Sequence, residues 1–288
     1  MKIVIDARES GTSTGRYIDK LVEYLHKQKP DFDFTVLTMP GRVSYLKSVA
    51  PDFKIVQSTY KEFSMAEQTG FLKQLKALNA DLVHFGMTQQ PIFYQGKVVT
   101  TIHDLTTARF TNPAKNRLVF KIKQMVYRWV IKKVARKSYA LITPSNFVKS
   151  DVAQYAKIDL DKIAVIYEAA DKINKLAEPL PNLVGKKFLL HVGRPLPHKN
   201  LNRLIDAFIK LKATHPDLQL VLAGKFDDNY QLLKNYAVKK SAKDVIFTDF
   251  VSEGQLRWLY EQATAYVFPS LSEGFGLPGR CHMFTRSL

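Results

Sequence analysis

Short β-branched runs alternate with helical stretches along almost the whole chain, and this alternation restricts the fold more than any other feature. KIVID (2–6), FTVLT (34–38), DLVHF (81–85), KVVTTI (97–102), YALIT (139–143) and KIAVI (162–166) read as strands. They are apolar on both faces, which suits parallel strands covered by helices on each side. FKIV (53–56) is a weaker seventh candidate. Between the runs the apolar spacing turns helical, as at Ile18, Leu21, Val22 and Leu25. The pattern stops over 171–187, where two prolines and no period mark a linker. It then restarts with FLLHVG (188–193), LQLVLAG (218–224), DVIFT (244–248) and AYVFP (265–269). Leu201, Leu204, Ile205, Phe208 and Ile209 define a helix after the first of these. Ser252 with Gln255 forms a capping box ahead of Leu256, Leu259 and Tyr260.

The expected class is therefore α/β, with two Rossmann-like domains in tandem over 1–172 and 173–288. The second domain shows only four strands, whereas a doubly wound unit has about six. It is expected to be incomplete, with AYVFP left as a strand lacking a partner on one side.

The charge balance narrows the partners. Lys and Arg number 43 against 26 Asp and Glu, a formal charge of +17, which points to anionic ligands or surfaces. One cysteine, Cys281, gives neither an internal disulfide nor a zinc set. MKIVIDAR opens the chain without an apolar leader, and no apolar run reaches the ~18 residues of a spanning helix. The expectation is a cytoplasmic protein.

Four loops lie where parallel sheets bind ligands, after the carboxyl ends of strands. In ARESGTSTGRY (7–17), Gly11 and Gly15 could let backbone approach an anion at a helix N-terminus; a plain connecting loop is the alternative. In HVGRPLPHKN (191–200), Gly193 ends a strand and Arg194 and Lys199 follow as cations fit for phosphate; the alternative is a solvated basic loop. In PSLSEGFGLPG (269–279), Gly274 and Gly276 permit tight turns, and Glu273 is a lone acceptor suited to sugar hydroxyls; an ordinary turn is the alternative. In TTIHDL (100–105), His103 leaves a strand beside Asp104, in a structural or a functional role.

Residues 105–150 contain eleven Lys or Arg and no Asp or Glu. Leu118, Phe120, Ile122, Met125, Val126, Trp129, Val130 and Val134 follow helical spacing, with Arg117, Lys121, Arg128, Lys132 and Arg136 on another side. A basic amphipathic helix of this kind over 115–137 suits an anionic membrane surface; the alternative is a core-packed helix with a solvated face. Nucleic acid is not expected, since no recognised module or aromatic platform accompanies the charge. DFD (31–33) precedes a strand, on the edge opposite the other candidates, and the histidines show no metal spacing, so no metal is expected.

Three stretches, HVGRPLPHKNLNRLIDAFIKL, VIFTDFVSEGQLRWLYEQATAYVFPSLSEGFGLP and DARESGTSTGRY, resemble the family-4 retaining glycosyltransferases of the GT-B architecture. TIHDL and LITPSNFVKSDV fit the same family, nearest to its bacterial mannosyltransferase-like members. The resemblance implies two Rossmann-like domains facing across a cleft, the first taking a lipid-linked or polysaccharide acceptor and the second a nucleotide-sugar donor, with GDP-mannose favoured. It implies that Arg194 and Lys199 hold the donor diphosphate beside the Gly193 turn. Phe250 and Val251 would lie by the base, and Glu273 would bond the transferred sugar, with the amides of Gly274, Phe275 and Gly276 nearby. His103 would reach the sugar from the opposite domain. Gly15 would lie near the diphosphate, with Arg16, Asp104 and Ser145 lining the cleft. Fixed cations would stabilise the departing diphosphate without a divalent metal, and contact with the inner face of the cytoplasmic membrane would be peripheral.

The resemblance runs to Gly279 and stops. The family reads roughly Leu-Glu-Ala-Met over the next stretch, its second Glu binding the donor ribose; here stand Arg280, Cys281, His282 and Met283. Cysteine is a weak hydrogen-bond partner. Roughly two more strands and a closing helix would follow in the family. The expectation is a C-terminally truncated donor domain of low stability with weak or absent turnover. The alternative function is a remnant that binds membrane or glycan without catalysis.

Overall fold

The computed structural model describes residues 1–12, 14–279 and 281. The chain divides into two compact units, one of residues 1–105 with 125–167 and one of residues 106–124 with 168–288.

In the first unit β1 (Lys2–Asp6) leads through a loop to α1 (Arg16–Gln28), then β2 (Asp33–Thr38), α2 (Val43–Val49) and β3 (Lys54–Gln57). A π turn over 67–71 runs into α3 (Leu72–Ala77), followed by β4 (Leu82–Phe85) and β5 (Val98–Thr101). Along the chain α4 (Thr106–Arg109) and the first two turns of α5 (Arg117–Lys137) then fall in the second unit, and the first resumes at residue 125 with the rest of α5, β6 (Ala140–Thr143), α6 (Asn146–Ala156) and β7 (Ile163–Val165). The seven strands form one parallel sheet in the order β3-β2-β1-β4-β5-β6-β7. Both faces are covered, which is why the strands read as apolar throughout. Ile3, Ile5, Phe34 and Val36 pack with Ile18 and Val22 of α1 on one side, while Val4, Leu37, Val83 and Phe85 pack with Phe71 and Leu75 on the other.

The second unit repeats the plan on a smaller scale. β8 (Lys187–Val192), α7 (Leu201–Lys212), β9 (Leu218–Ala223), α8 (Asp228–Lys239), β10 (Val245–Asp249), α9 (Glu253–Gln262) and β11 (Ala265–Tyr266) give a parallel sheet ordered β10-β9-β8-β11. Phe188, Leu190 and Val221 pack against Trp258 and Leu259 on one face; Leu218, Leu220 and Leu222 pack against Leu204, Ile205 and Phe208 on the other. The capping box at Ser252 and Gln255 is present at the start of α9. The expected strand AYVFP pairs for only two residues, although the Val267 N–H still donates to the Leu190 carbonyl at 2.8 Å. Among the described strands β11 is an edge.

The two sheet orders fix where ligands can sit. Strand order reverses between β1 and β4 in the first unit and between β8 and β11 in the second. At such a reversal the loops at the strands' carboxyl ends part company and leave a crevice.

Candidate functional site

The crevice of the second unit collects most of the expected donor residues. Gly193 follows β8 with φ of +145°, a backbone state that side chains rarely adopt. A short turn over 197–199 then carries Lys199 towards the loop after β11. Lys199 Nζ donates to Glu273 Oε1 at 2.6 Å, and both side chains are largely shielded, at 15% and 23% exposure. Backbone ties hold the two loops together: the Leu271 N–H donates to the His198 carbonyl at 2.7 Å, and Asn200 Nδ2 to the Pro269 carbonyl at 3.2 Å. Lys199 also lies 5.6 Å from the Phe268 ring centroid, within reach of its face. Gly276, at φ of +81°, turns the chain directly above Phe268, and Gly274 and Phe275 precede it half-buried.

Arg194 points elsewhere. Its guanidinium bonds Asp227 Oδ2 at 2.7 Å and remains 60% exposed. The same carboxylate caps α8, since Asp227 Oδ1 accepts the Tyr230 N–H at 3.0 Å. Asp227 was not singled out in the sequence, although an Asp before a helical run is a legible N-cap. Its pairing with a residue 33 positions away is not legible. Phe250 is 77% exposed, and Val251 is partly buried against the core of the second unit.

Beneath the pair lies His191, fully buried on β8. Its Nδ1 is 3.0 Å from the Val267 carbonyl and so donates to it, while Nε2 has no hydrogen-bond partner among the described residues. Burial holds the ring's pKa down at about 4, so it is neutral.

The crevice of the first unit is built from β1, β4 and the loop before α1. Gly15 is buried, and a Cβ there would meet the Glu9 carbonyl oxygen at 1.7 Å, so space and not torsion requires glycine. Its N–H donates to Thr12 Oγ1 at 2.9 Å. Gly15, Tyr17 and Gly86 border a cavity of ≈ 20 Å³ together with Asp6, Glu9 and Glu62. His103 follows β5 with Nε2 donating to the Gly86 carbonyl at 3.0 Å and its ring edge-on to Tyr17, centroids 4.8 Å apart. Asp104 is half-buried beside it and Arg16 is exposed at the start of α1. Ser145 caps α6, its Oγ accepting the Val148 N–H at 3.3 Å.

An ion cluster that the sequence reading missed supports this crevice. Arg8 is fully buried, bonded to Asp6 and Glu67 at 2.8 Å each and to the Tyr60 carbonyl at 3.1 Å. Burial opposes its charge, but the two carboxylates together outweigh that and raise its pKa. Glu62, 3.9 Å from Arg8, is pushed up to about 7 by burial, with Arg8 opposing. Among the described residues no group of His, Cys, Asp and Glu is arranged to hold a metal. The proposed departure at 281 is only partly in view: Cys281 packs partly buried against the core of the second unit, and Arg280, His282 and Met283 lie outside the described residues.

Two parallel sheets, each with glycine loops at a strand-order reversal, invite comparison with known proteins. Residues 14–172 match the family Glycosyltransferase Family 4, more than half of the chain, and residues 172–278 match Glycosyl transferases group 1. The chain belongs to glycosyltransferase family 4. Within that family it is 32% identical over 159 residues to the O-antigen chain mannosyltransferase RfbU of Salmonella typhimurium, 54% of this chain and 43% of that protein. It is 26% identical over 287 residues to the glycosyltransferase YqgM of Bacillus subtilis, covering 93% of this chain and 71% of the relative. Its fold resembles that of Anabaena HepE, solved in complex with UDP-glucose, with a TM-score of 0.63 at 16% identity over 95% of this chain and 75% of that one. The chain thus spans less than half of the Salmonella relative that it matches.

Proposed function

We propose that this protein transfers a hexose, with mannose from GDP-mannose favoured, from a nucleotide-sugar to a lipid-linked or polysaccharide acceptor with retention of configuration. The observation that carries the reading is the shielded Lys199–Glu273 pair at the strand-order reversal of the second unit. A cation and a carboxylate side by side match a ligand that joins an anion to hydroxyls, as a sugar diphosphate does. Lys199 takes the diphosphate, Arg194 swings from Asp227 to join it, and Glu273 accepts from hydroxyls of the transferred sugar. Phe250 and Val251 lie by the base, and the amides of Gly274, Phe275 and Gly276 serve the donor.

The chemistry follows from charge. As the bond from the anomeric carbon to phosphate breaks, its electron pair goes to the diphosphate oxygen, and fixed cations stabilise that oxygen. The acceptor oxygen bonds the anomeric carbon from the same face, and its proton passes to a donor phosphate oxygen. No protein nucleophile is required. His103 is assigned to the sugar, and Gly15, Arg16, Asp104 and Ser145 to the first unit's share of the substrate. The basic helix over 115–137 is assigned to an anionic membrane surface, which fits a lipid-linked acceptor.

A second reading, binding without turnover, is favoured by Cys281, which packs into the core where the family carries a ribose-binding glutamate. One experiment separates the two. GDP-mannose and UDP-glucose are incubated singly with the protein, free nucleoside diphosphate is measured, and the melting temperature is followed. Release of GDP, with Lys199→Ala weakening donor affinity roughly 10- to 100-fold, supports the enzyme. A melting shift without release supports the second reading. Neither shift nor release with any sugar nucleotide overturns both.

A further inference from the structure

Tyr17 lies in the first turn of α1 and touches residues of β4 and β5, which are neighbours in the sheet. Its hydroxyl is 3.0 Å from Thr101 Oγ1, and that oxygen is also 3.1 Å from His84 Nε2. Thr101 is buried at the last position of β5. His103 follows shortly after it and meets the Tyr17 ring edge-on, with centroids 4.8 Å apart and planes at 78°. Tyr17, His84, Thr101 and His103 all belong to the first unit.

Gly86, at the end of β4, brings these parts together. A Cβ there would meet Ile18 Cδ1 at 2.7 Å, so glycine lets the first turn of α1 close onto the strand end. The carbonyl of the same glycine accepts from His103 Nε2 at 3.0 Å. A carbonyl only accepts, so Nε2 carries the proton, and in the neutral ring the lone pair stays on Nδ1. His84 adds no charge beside it: burial first, and then the nearness of His103, hold its pKa down at about 4. The Thr101 hydroxyl has one proton and two lone pairs, so it serves both neighbours at once, accepting from one and donating to the other.

We propose that Tyr17 is a positioning residue for His103: anchored to Thr101 through its hydroxyl, it fixes the plane of the imidazole against the Gly86 carbonyl and keeps the ring proton on Nε2. This rests on the assignment of His103 to the transferred sugar and adds what sets the direction of its ring. Two restraints are needed. A hydrogen bond at one nitrogen still lets the ring tilt about that bond, and the edge-on contact with Tyr17 opposes the tilt. Packing alone does not call for the buried hydroxyls, because apolar groups of the same shape would serve a core about as well. What the Tyr17, Thr101 and His84 chain supplies is a fixed place for the Tyr17 ring, and through it for the imidazole.

The test separates the anchor from the packing and uses the full chain. Nuclear magnetic resonance of isotopically labelled histidine shows which ring nitrogen carries the proton, and the His103 signals are identified by their loss in His103→Gln. At alkaline pH the wild-type ring is expected in the Nε2–H form. Tyr17→Phe keeps the aromatic ring and Thr101→Val keeps the side-chain shape; each is expected to raise the share of the Nδ1–H form. Thr101→Ser returns the hydroxyl and is expected to regain the wild-type signals. With a sugar nucleotide, Tyr17→Phe and Thr101→Val are expected to lower kcat roughly 10- to 100-fold. KM for the donor, assigned to the second unit, should stay the same. Persistence of the Nε2–H form in both variants overturns the proposal, as does a serine variant no better than the valine one. A shifted proton with unaltered kcat also overturns it, because the direction of the ring would then not matter to the reaction. Where Thr101→Val fails to fold, Tyr17→Phe decides alone. Absence of turnover in the wild type ends the assignment of His103 to the sugar, and the resonance spectra still decide whether Tyr17 fixes the ring.

Discussion

His191 shows how one buried side chain ties stability to acidity. Burial holds its folded pKa near 4, below the ordinary value of 6.5 that it recovers on unfolding. Above about pH 6.5 the ring is neutral in both states and the contribution is fully present. As pH falls from 6.5 towards 4 the unfolded chain takes up a proton that the folded one refuses, and stability is lost. His191→Gln is expected to flatten the decline of melting temperature over that window while keeping a donor towards the Val267 carbonyl. An unchanged slope would show that other groups set it. At this scale Lys199 and Glu273 were legible because a cation and a lone acid each followed a strand end. Arg8 was not legible. Its partners Asp6 and Glu67 are brought together only by the fold, and nothing near Arg8 in the sequence distinguishes it from a surface arginine.

At the scale of elements, Asp227 joins a helix start to Arg194, the residue proposed for the donor diphosphate. Its carboxylate caps α8 with one oxygen and holds Arg194 with the other. Asp227→Ala is expected to cost about 1 kcal/mol of stability and to weaken donor affinity. Asp227→Asn should retain the cap and lose only the hold on Arg194. Equal losses of stability in the two variants, measured by denaturant unfolding, would contradict the capping role. Strand positions were largely readable because a parallel sheet buried on both faces needs unbroken apolar runs, which local sequence displays. The apolar stripe of α5 was harder. Helical spacing reveals an apolar face, but whether protein or something else covers it depends on neighbours that periodicity does not specify.

At the scale of the whole molecule, two separate cores are joined by chain that lies outside both sheets. Lys115 and Lys172 are exposed, in neither helix nor strand. Lys175 is also exposed, but its carbonyl accepts from Arg257 at 3.0 Å. Brief trypsin treatment is expected to cut first after Lys115 and Lys172, before Lys175. Mass spectrometry would identify the sites, and early cuts within the strands would contradict the division into two units. The four-strand second sheet was foreseeable by counting apolar runs. The enrolment of 106–124 in the second unit was not, since those residues carry no strand of their own and their allegiance rests on contacts far along the chain.

The bridge between Lys199 and Glu273 pairs a cation with an acid inside the crevice, so the two charges there cancel. On the proposed assignment, an arriving substrate must compete with a carboxylate for one ammonium. An intact sugar nucleotide can win, because its hydroxyls give the displaced Glu273 new donors. Once the sugar has departed, the spent nucleotide offers no such exchange, and Glu273 reclaims Lys199. On that assignment, product release is favoured by the same contact that holds the two loops together.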